Sequence, residues 1–400
     1  MSTTRYLLGC LLVLTLLEIC LHVYSLRVTP PTHPLDPPFA SSCRIPPDSP
    51  LPHDDDTAPY DVGLSRENAT ILMLARNSDV EGAASAIRSL EERFNRWFHY
   101  PVVFLNDQEW SEEFREKVGQ EASGETVFAQ IPAEMWGWPV DGEGREWVDR
   151  EKVKDAMGRL SRMGVPYVDN ENYHHMCRFY SGFFQDHPAL KPYKYYWRIE
   201  PDVSYTCDIP YDPFRHMRLN HKTYGYSIAL WEIGSTVPSL FRTVTTYKSS
   251  HAIPTTPLWT SMLSPSWAPL PLRWALMSDA RLFHSRTPTG DAWSLCHFWS
   301  NFEVADLDFF RSAAYRSYFA ALDATAGFYY ERWGDAAVHS LAAALFLAPA
   351  QLHWFEDWGY RHPPFQHCPR EGVGCACACD RREGAVPETC LRQLRRGVDP

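Results

Sequence analysis

One local order of residues constrains the fold of this chain more than any other feature. Residues 69–75 form a short, mostly apolar run, residues 76–79 are Arg-Asn-Ser-Asp, and residues 80–97 carry apolar side chains at helical spacing. A second apolar run follows at 102–105. Strand, helix and strand in this order form a parallel unit, so the sequence predicts an open α/β sheet.

Polar residues follow two predicted strands of that sheet. Arg76 comes directly after the first strand, and Glu200-Pro201-Asp202 follows an aromatic strand predicted at 195–199. Ligands of open α/β sheets bind at the carboxyl ends of the strands. Because proline cannot continue a central strand, we expect both acids in an exposed turn. Two carboxylates in such a turn suit a divalent cation that neutralises a diphosphate.

The N-terminal end predicts a targeting segment. Arg5 precedes an apolar run at residues 6–26, which favours a signal-anchor transmembrane helix with residues 1–5 on the cytoplasmic side. A cleaved signal peptide is the alternative, since Ser25 is small and Glu18 interrupts the run. Either segment directs the chain into the secretory pathway.

The rest of the chain divides into a linker and a folded body. Residues 27–60 are rich in proline and predict a stem, and residues 61–390 predict a single large luminal domain. The net charge of -11 argues against neutralisation of a phosphate backbone as the main task of the protein. Nucleic acid is therefore not an expected partner.

Cysteine usage agrees with an oxidising compartment. Nine of the 11 cysteines lie beyond the apolar run, so at least one is free or pairs elsewhere. Three of them alternate with alanine at 375–379. This spacing favours disulfides over a zinc clip, whose paired cysteines are usually two to four residues apart. The nine are Cys43, Cys177, Cys207, Cys296, Cys368, Cys375, Cys377, Cys379 and Cys390.

Four longer phrases resemble the fungal α-1,2-mannosyltransferases of glycosyltransferase family 15, over about residues 60–380. The resemblance implies a GT-A type open mixed sheet flanked by helices, built as a single large catalytic domain. It also implies GDP-mannose as donor, Mn²⁺, retention of the anomeric configuration, a Golgi membrane protein of type II topology, and mannosylated N- or O-linked glycans of glycoproteins as acceptors. The phrases are YWRIEPDV at 196–203, CHFWSNFE at 296–303, FYYERWGDA at 328–336 and HPPFQHCP at 362–369.

The resemblance also implies a metal site. Glu200 matches the metal-binding glutamate of the family, and His362 is the expected imidazole ligand. His367 competes with His362 for that role, and a loop histidine that only packs is a further alternative. Asp202, the second acid of the turn, is expected to contact the sugar or ribose of the donor.

Two further acids are expected at the reaction centre. Glu303 matches the proposed nucleophile of the family, and a buried structural acid is the alternative. Retention is equally compatible with a covalent intermediate and with front-side attack. Asp335 resembles a base or a contact of the acceptor hydroxyl, and Gly334 before it allows close backbone approach.

Three residues are expected to bind the donor. Tyr173 and Arg178 match positions near the donor, where an aromatic ring meets guanine or diphosphate and a guanidinium binds phosphate oxygens. Arg76 is expected to do similar work beside the first strand. A surface or helix-packing role is the alternative for each of the three.

Two features depart from this pattern. Residues 247–290 carry scattered tryptophan and proline where the family has a charged helical segment, which indicates an atypical insertion or a flaw in the gene model. Asn68-Ala69-Thr70 is the only N-glycosylation sequon, and it adjoins a predicted buried strand. The alternatives to a transferase are a glycoside hydrolase that uses two of the same carboxylates, and a degenerate family member that binds glycans or acts as a scaffold.

Overall fold

A computed structural model describes residues 2–27, 65–264, 291–386 and 389–395. Most of the predicted stem at 27–60 lies outside the described residues. So does the stretch 265–290 of the atypical segment.

The core is a seven-stranded mixed sheet with the order β12-β6-β11-β4-β1-β2-β3. Only β11 runs antiparallel to its neighbours, and the other described pairs of this sheet are parallel. The predicted open α/β sheet is therefore confirmed. Its strands are β1 (Ala69–Leu74), β2 (Val102–Asn106), β3 (Thr126–Gln130), β4 (Tyr195–Ile199), β6 (Tyr224–Tyr226), β11 (Glu303–Asp306) and β12 (Leu352–Trp354).

Smaller sheets lie beside the main one. They pair β7 with β10, β8 with β9, and β5 with β13 and β14. The strands of these smaller sheets are β5 (Ser204–Tyr205), β7 (Ala229–Trp231), β8 (Leu263–Ser264), β9 (Ala292–Trp293), β10 (Cys296–Phe298), β13 (Tyr360–His362) and β14 (Phe365–His367). The sequence of residues 358–365 predicts a loop, and this prediction is wrong because β13 and the start of β14 lie there.

Helices cover both faces of the main sheet. The predicted helix at 80–97 is α2, which continues through one wider turn at Glu91–Asn95 into α3. The helices are α1 (Ser2–Arg27), α2 (Val80–Leu90), α3 (Arg96–Phe98), α4 (Glu112–Glu121), α5 (Arg150–Arg162), α6 (Glu171–Gly182), α7 (Pro213–Leu219), α8 (Leu240–Ser250), α9 (Pro257–Ser261), α10 (Leu307–Arg311), α11 (Ala313–Asp323), α12 (Gly327–Tyr330), α13 (Asp335–Phe346) and α14 (Thr389–Arg395).

The two faces bury separate apolar cores. Leu72 and Tyr196 pack on one face with α6, α11 and α13, while Ile71 and Trp197 pack on the other with α2 and α4. Successive side chains of a strand point to opposite faces, so a strand buried on both sides has an uninterrupted apolar sequence. This is why the run at 69–75 shows no alternation.

The N-terminal helix α1 covers the apolar run at residues 6–26. Within the part of the chain that the structure describes, no helix is both long enough and apolar enough to cross a membrane.

The described part of the atypical segment packs against the main body. Thr256 donates a hydrogen bond from Oγ1 to the carbonyl oxygen of Ala344, 2.7 Å away, and Trp259 stacks on Phe241. Glu303 keeps its place at the start of β11, paired with Arg198 of β4. The described residues of this segment thus leave Glu303 in the main sheet.

Candidate active site

The turn after β4 lies at the carboxyl edge of the main sheet, next to the end of β1. Met73 pairs with Ile199 in the parallel register, so Arg76 and Glu200 leave neighbouring strands at the same edge. Asp202 has a φ of +65° and its amide donates to the carbonyl oxygen of Gly82, 3.3 Å away. A Cβ at that glycine would lie 2.4 Å from Oδ1 of Asp202, so a larger residue there would force the Asp202 carboxylate to move.

The hairpin β13–β14 brings a histidine to this turn. Arg361 pairs with Ser204 in the antiparallel register, which sets His362 opposite Val203. The His362 ring is half-buried and packs on Trp299 with the centroids 5.0 Å apart. His367 pairs instead with Tyr360, and its Nε2 lies 2.9 Å from the carbonyl oxygen of Glu356. The register therefore favours His362 over His367 as the imidazole beside the acids.

Disulfides connect the C-terminal tail to the hairpin and to β5, the strand that pairs with it. Cys207 follows β5 and bonds to Cys377, and Cys368 follows β14 and bonds to Cys379. Cys375 is disulfide-bonded as well. The alternating cysteines thus form disulfides, as predicted, and within the described residues no group of three or more His, Cys, Asp or Glu side chains is placed to hold a metal. The expected free thiol beyond the apolar run is Cys177, which is buried.

A buried arginine connects two acids of the site. Arg198 donates from Nε and Nη2 to Oε1 of Glu200, at 2.8 and 2.6 Å, and from Nη1 to Oδ2 of Asp335, at 2.5 Å. Its guanidinium lies over the Tyr180 ring, 3.5 Å from the centroid. Sequence reasoning missed this residue. The available signal was a cation inside an otherwise apolar and aromatic strand, which is costly unless it is paired.

Asp335 begins α13 and is held as an anion. Ser300 donates a second hydrogen bond to Oδ2, at 2.7 Å. Burial raises the pKa of Asp335, but the charges of Arg198 and His339 together with the hydrogen bonds from Ser300 and Arg198 outweigh burial and keep this pKa below its ordinary value. A carboxylate with a lowered pKa is a poor proton acceptor near neutral pH. The geometry therefore favours a positioning role over the role of a base.

Glu303 is fully buried and accepts three hydrogen bonds. Its donors are Tyr196 Oη at 2.7 Å, Tyr224 Oη at 2.5 Å and His339 Nδ1 at 2.6 Å. His339 Nε2 faces the carbonyl oxygen of Tyr180 at 2.9 Å. Because both partners of this imidazole are acceptors, both of its nitrogens carry a proton. This arrangement fits the structural alternative for Glu303.

The charge of the ring of His339 depends on Glu303. Burial alone would lower the pKa of His339, but the adjacent carboxylate raises this pKa above its ordinary value. The pair is therefore an ion pair inside the core. Sequence reasoning did not find His339, because it lies in an otherwise apolar helix.

Tyr173 belongs to a second polar group near Asp335. Its hydroxyl accepts a hydrogen bond from Nη1 of Arg332 at 3.1 Å, and its ring stacks on Tyr167. Nη2 of Arg332 lies 3.5 Å from Oε1 of Glu232. Burial raises the pKa of Tyr173 well above its usual range, so its hydroxyl stays protonated. Glu232 and Arg332 are further polar residues that sequence reasoning did not assign to the site.

The two other predicted donor-binding arginines differ in position. Arg76 is exposed at the carboxyl edge and forms a bidentate pair with Asp79, at 3.0 and 2.9 Å. Arg178 is buried, forms a bidentate pair with Asp323 at 2.7 Å, and also donates to the carbonyl oxygen of Gly137. No described contact links it to Glu200, Glu303 or Asp335. These contacts fit the packing alternative for Arg178.

Comparison with known proteins agrees with this geometry. The family model for glycolipid 2-alpha-mannosyltransferase matches residues 46–393. O-glycoside alpha-1,2-mannosyltransferase homolog 4 of Schizosaccharomyces pombe is 42% identical over 332 residues, covering 78% of this chain and 73% of its own.

Two solved structures are also similar. Core-mannan synthase A of Aspergillus fumigatus, in an Mn/GDP form, matches with a TM-score of 0.69 and 36% identity, covering 91% of this chain and 92% of its own. The mannosyltransferase Ktr4p of S. cerevisiae, in complex with GDP, matches with a TM-score of 0.69 and 34% identity, covering 84% and 82%.

Proposed function

Because this chain belongs to the glycolipid 2-alpha-mannosyltransferase family, glycosyltransferase family 15, and is a glycosyltransferase, we propose that it transfers mannose from GDP-mannose to mannosylated glycans of glycoproteins. The transfer forms an α-1,2 linkage with retention and depends on Mn²⁺. The similar Aspergillus fumigatus enzyme in its Mn/GDP form supports the donor and the metal.

The observation that carries this proposal is that the turn of Glu200 lies at the carboxyl edge of the main sheet, and that strand pairing sets His362 opposite Val203, directly after that turn. A carboxylate and an imidazole are donors that suit manganese, and two protein ligands leave coordination positions for a diphosphate. The two hydrogen bonds that Arg198 donates to Glu200 both reach Oε1, which orients the carboxylate. When bound, the metal neutralises the charge of the leaving diphosphate.

The donor is bound by side chains around this edge. We assign Arg76 and Asp202 to the nucleotide side and Tyr173 to the diphosphate. Arg332 takes the part predicted for Arg178, because its buried Nε has no hydrogen-bond partner among the described residues and so suits a ligand oxygen. Asp335 holds Arg198 in place.

We propose that the anomeric configuration is retained by front-side attack, and the surroundings of Glu303 support this mechanism. Its carboxylate has no exposed surface and already accepts three hydrogen bonds. Attack on an anomeric carbon would require the donor sugar to reach a carboxylate that is closed off from solvent. We therefore assign Glu303 a positioning role in the floor of the site, which favours front-side attack over the covalent alternative.

The proposed location is the Golgi lumen, with the segment at 6–26 as the anchor of a type II protein. The disulfides Cys207–Cys377, Cys296–Cys390 and Cys368–Cys379 support an oxidising compartment.

The experiment is GDP release from GDP-mannose by the purified protein, with an α-mannoside acceptor and Mn²⁺. We expect Glu200→Gln to lower the rate at least about 100-fold, because a metal and its charge stabilisation are lost. Glu113→Gln, an exposed carboxylate on α4, is the matched control and should leave the rate unchanged. Full activity of Glu200→Gln would refute the metal assignment. Mannoside cleavage without nucleotide or metal would instead support the hydrolase.

A further inference from the structure

A cleft lies at the edge of the main sheet opposite the candidate active site. It has a volume of about 710 Å³ and opens where β1, β2 and β3 begin. Strand β1 has six residues, so the cleft and the carboxyl edge are about 20 Å apart. A volume of this size lies within the range of small-molecule sites. The residues proposed for transfer do not line the cleft.

The only sequon of the chain stands at the rim of this cleft. Asn68 is exposed, and its carbonyl oxygen accepts hydrogen bonds from the amides of Lys194 and Tyr195 at 2.9 and 3.1 Å. Its Nδ2 donates to the carbonyl oxygen of Pro192 at 2.8 Å. An asparagine amide has two hydrogens, and N-glycosylation replaces one. The contact with Pro192 can therefore persist after modification.

Thr70, the third residue of the sequon, behaves differently. It is fully buried, and its hydroxyl donates to the carbonyl oxygen of Pro101 at 2.9 Å. A glycosylating enzyme that reads this hydroxyl therefore has access to it only before β1 enters the sheet. After folding, the hydroxyl of Thr70 is inaccessible, while Asn68 stays at the surface.

We propose that Asn68 carries an N-linked glycan, added before folding, whose first sugar lies in this cleft. Nδ2 of Asn68 loses one proton and bonds to the anomeric carbon of a lipid-diphosphate-linked oligosaccharide, and the lipid diphosphate leaves. The half-buried ring of Tyr193 and the ring of Pro101 offer an apolar surface to the sugar ring. Glu67 and Glu125 offer hydrogen-bond acceptors to its hydroxyls.

This inference rests on the secretory location given under the proposed function, so the test separates the two. The full chain is produced in a eukaryotic secretory host and treated with an N-glycan-removing amidase. We expect one shift in mobility and conversion of Asn68 to aspartate in peptide mass spectra. Asn68→Gln should abolish the shift, and Thr70→Ser, which keeps the sequon, should retain it.

A control site reports whether the chain entered the lumen. Arg159→Asn creates a new sequon with Ser161 on the exposed face of α5 and is introduced beside intact Asn68. Modification at position 159 but not at 68 overturns the inference and leaves the secretory location standing. Modification at neither position overturns both. GDP release by Asn68→Gln shows that this variant folds.

The place of the first sugar is tested by the rate of enzymatic removal. We expect the glycan to be cleaved several-fold more slowly from the native protein than from the denatured protein. Tyr193→Ala should remove most of this difference, whereas Tyr167→Ala, an exposed ring elsewhere, should not. Equal rates from native and denatured wild-type protein would show that the sugar lies outside the cleft.

Discussion

Arg198 and Arg178 are both buried guanidiniums that form hydrogen bonds with carboxylates, yet only one belongs to the site. Arg198 connects Glu200, at the rim, with Asp335 in the interior. Arg178 joins α6 to Asp323 at the end of α11. The same interaction therefore orients a proposed metal ligand in one region and holds two helices together in the other. The role of each arginine therefore depends on where its carboxylate partners lie.

The largest expected effect separates these two arginines. Lysine keeps the charge but loses the planar fork that fits a carboxylate bidentately. We expect Arg198→Lys to lower the rate of GDP release about 100-fold, because Glu200 is no longer oriented. Arg178→Lys should leave the rate of the folded protein within about threefold of the wild type, while lowering the melting temperature. Equal losses of activity would show that both arginines serve the reaction.

The buried acid Glu303 offers the next contrast, with the rim acid Glu200. Glu303→Gln removes the counter-ion of His339 inside the core, so we expect the free energy of unfolding to fall by about 3 kcal/mol. Glu200→Gln should lower it less, because that side chain is partly exposed and Arg198 keeps Asp335. Urea denaturation at pH 6 measures both. A larger loss for Glu200→Gln would contradict the distinction between rim and core.

The same pair predicts a pH dependence. The pKa of His339 is raised in the folded protein above its unfolded value of about 6.5, so the stabilising contribution is complete below that pH and is lost as the pH rises through the folded pKa. The difference in unfolding free energy between wild type and Glu303→Gln should therefore shrink as the pH rises toward 9. A difference that stays constant would show that His339 does not titrate with Glu303.

At Asp357, close to the hairpin that carries His362, burial rather than a charged partner sets the direction of the pKa shift. Burial raises the pKa of Asp357 to about 7, whereas an unfolded aspartate titrates near about 3.9. The folded protein holds the extra proton between these values, so stability should fall as the pH rises from about 4 to about 7. Asp357→Asn should reduce this fall, measured by thermal unfolding against pH. Asp155→Asn, exposed on α5, should not.

The smallest expected effect concerns the fit between Asp202 and α2. Gly82→Ala places a methyl group 2.4 Å from Oδ1 of Asp202, so this carboxylate must move. We expect the KM for GDP-mannose to rise a few-fold. Gly119→Ala in α4 is the control, since nothing lies within 4 Å of its added Cβ. It should stabilise the protein by about 1 kcal/mol without changing KM. An unchanged KM for Gly82→Ala would remove Asp202 from the donor site.

Sequence patterns predicted the parts of the site that depend on local order. Two strand ends were predictable, from the run at 69–75 and from the proline of the turn at 200–202. The strand ends in turn indicated the edge of the sheet where ligands bind. Partners distant in the chain were not predictable in this way. Arg198 meets Asp335 only because α13 packs on the sheet, and Arg178 could face either the site or the core from the same helix. A single sequence carries no signal for these choices.

The hairpin at 360–367 was mistaken for a loop for a related reason. Its strands are short, and β13 pairs with β5, which is far away in sequence, so no local alternation marks them. The prolines at 363 and 364 favoured a loop in the sequence and in fact form its turn.

The bond between Cys207 and Cys377 can form only late in the synthesis of the chain. The two cysteines are 170 residues apart. At about 5–20 residues per second, the thiol of Cys207 waits on the order of ten seconds or more for its partner to be translated. On the proposed metal assignment, a nascent chain carries the acids of the turn before it carries His362, so the metal site is completed only late in synthesis.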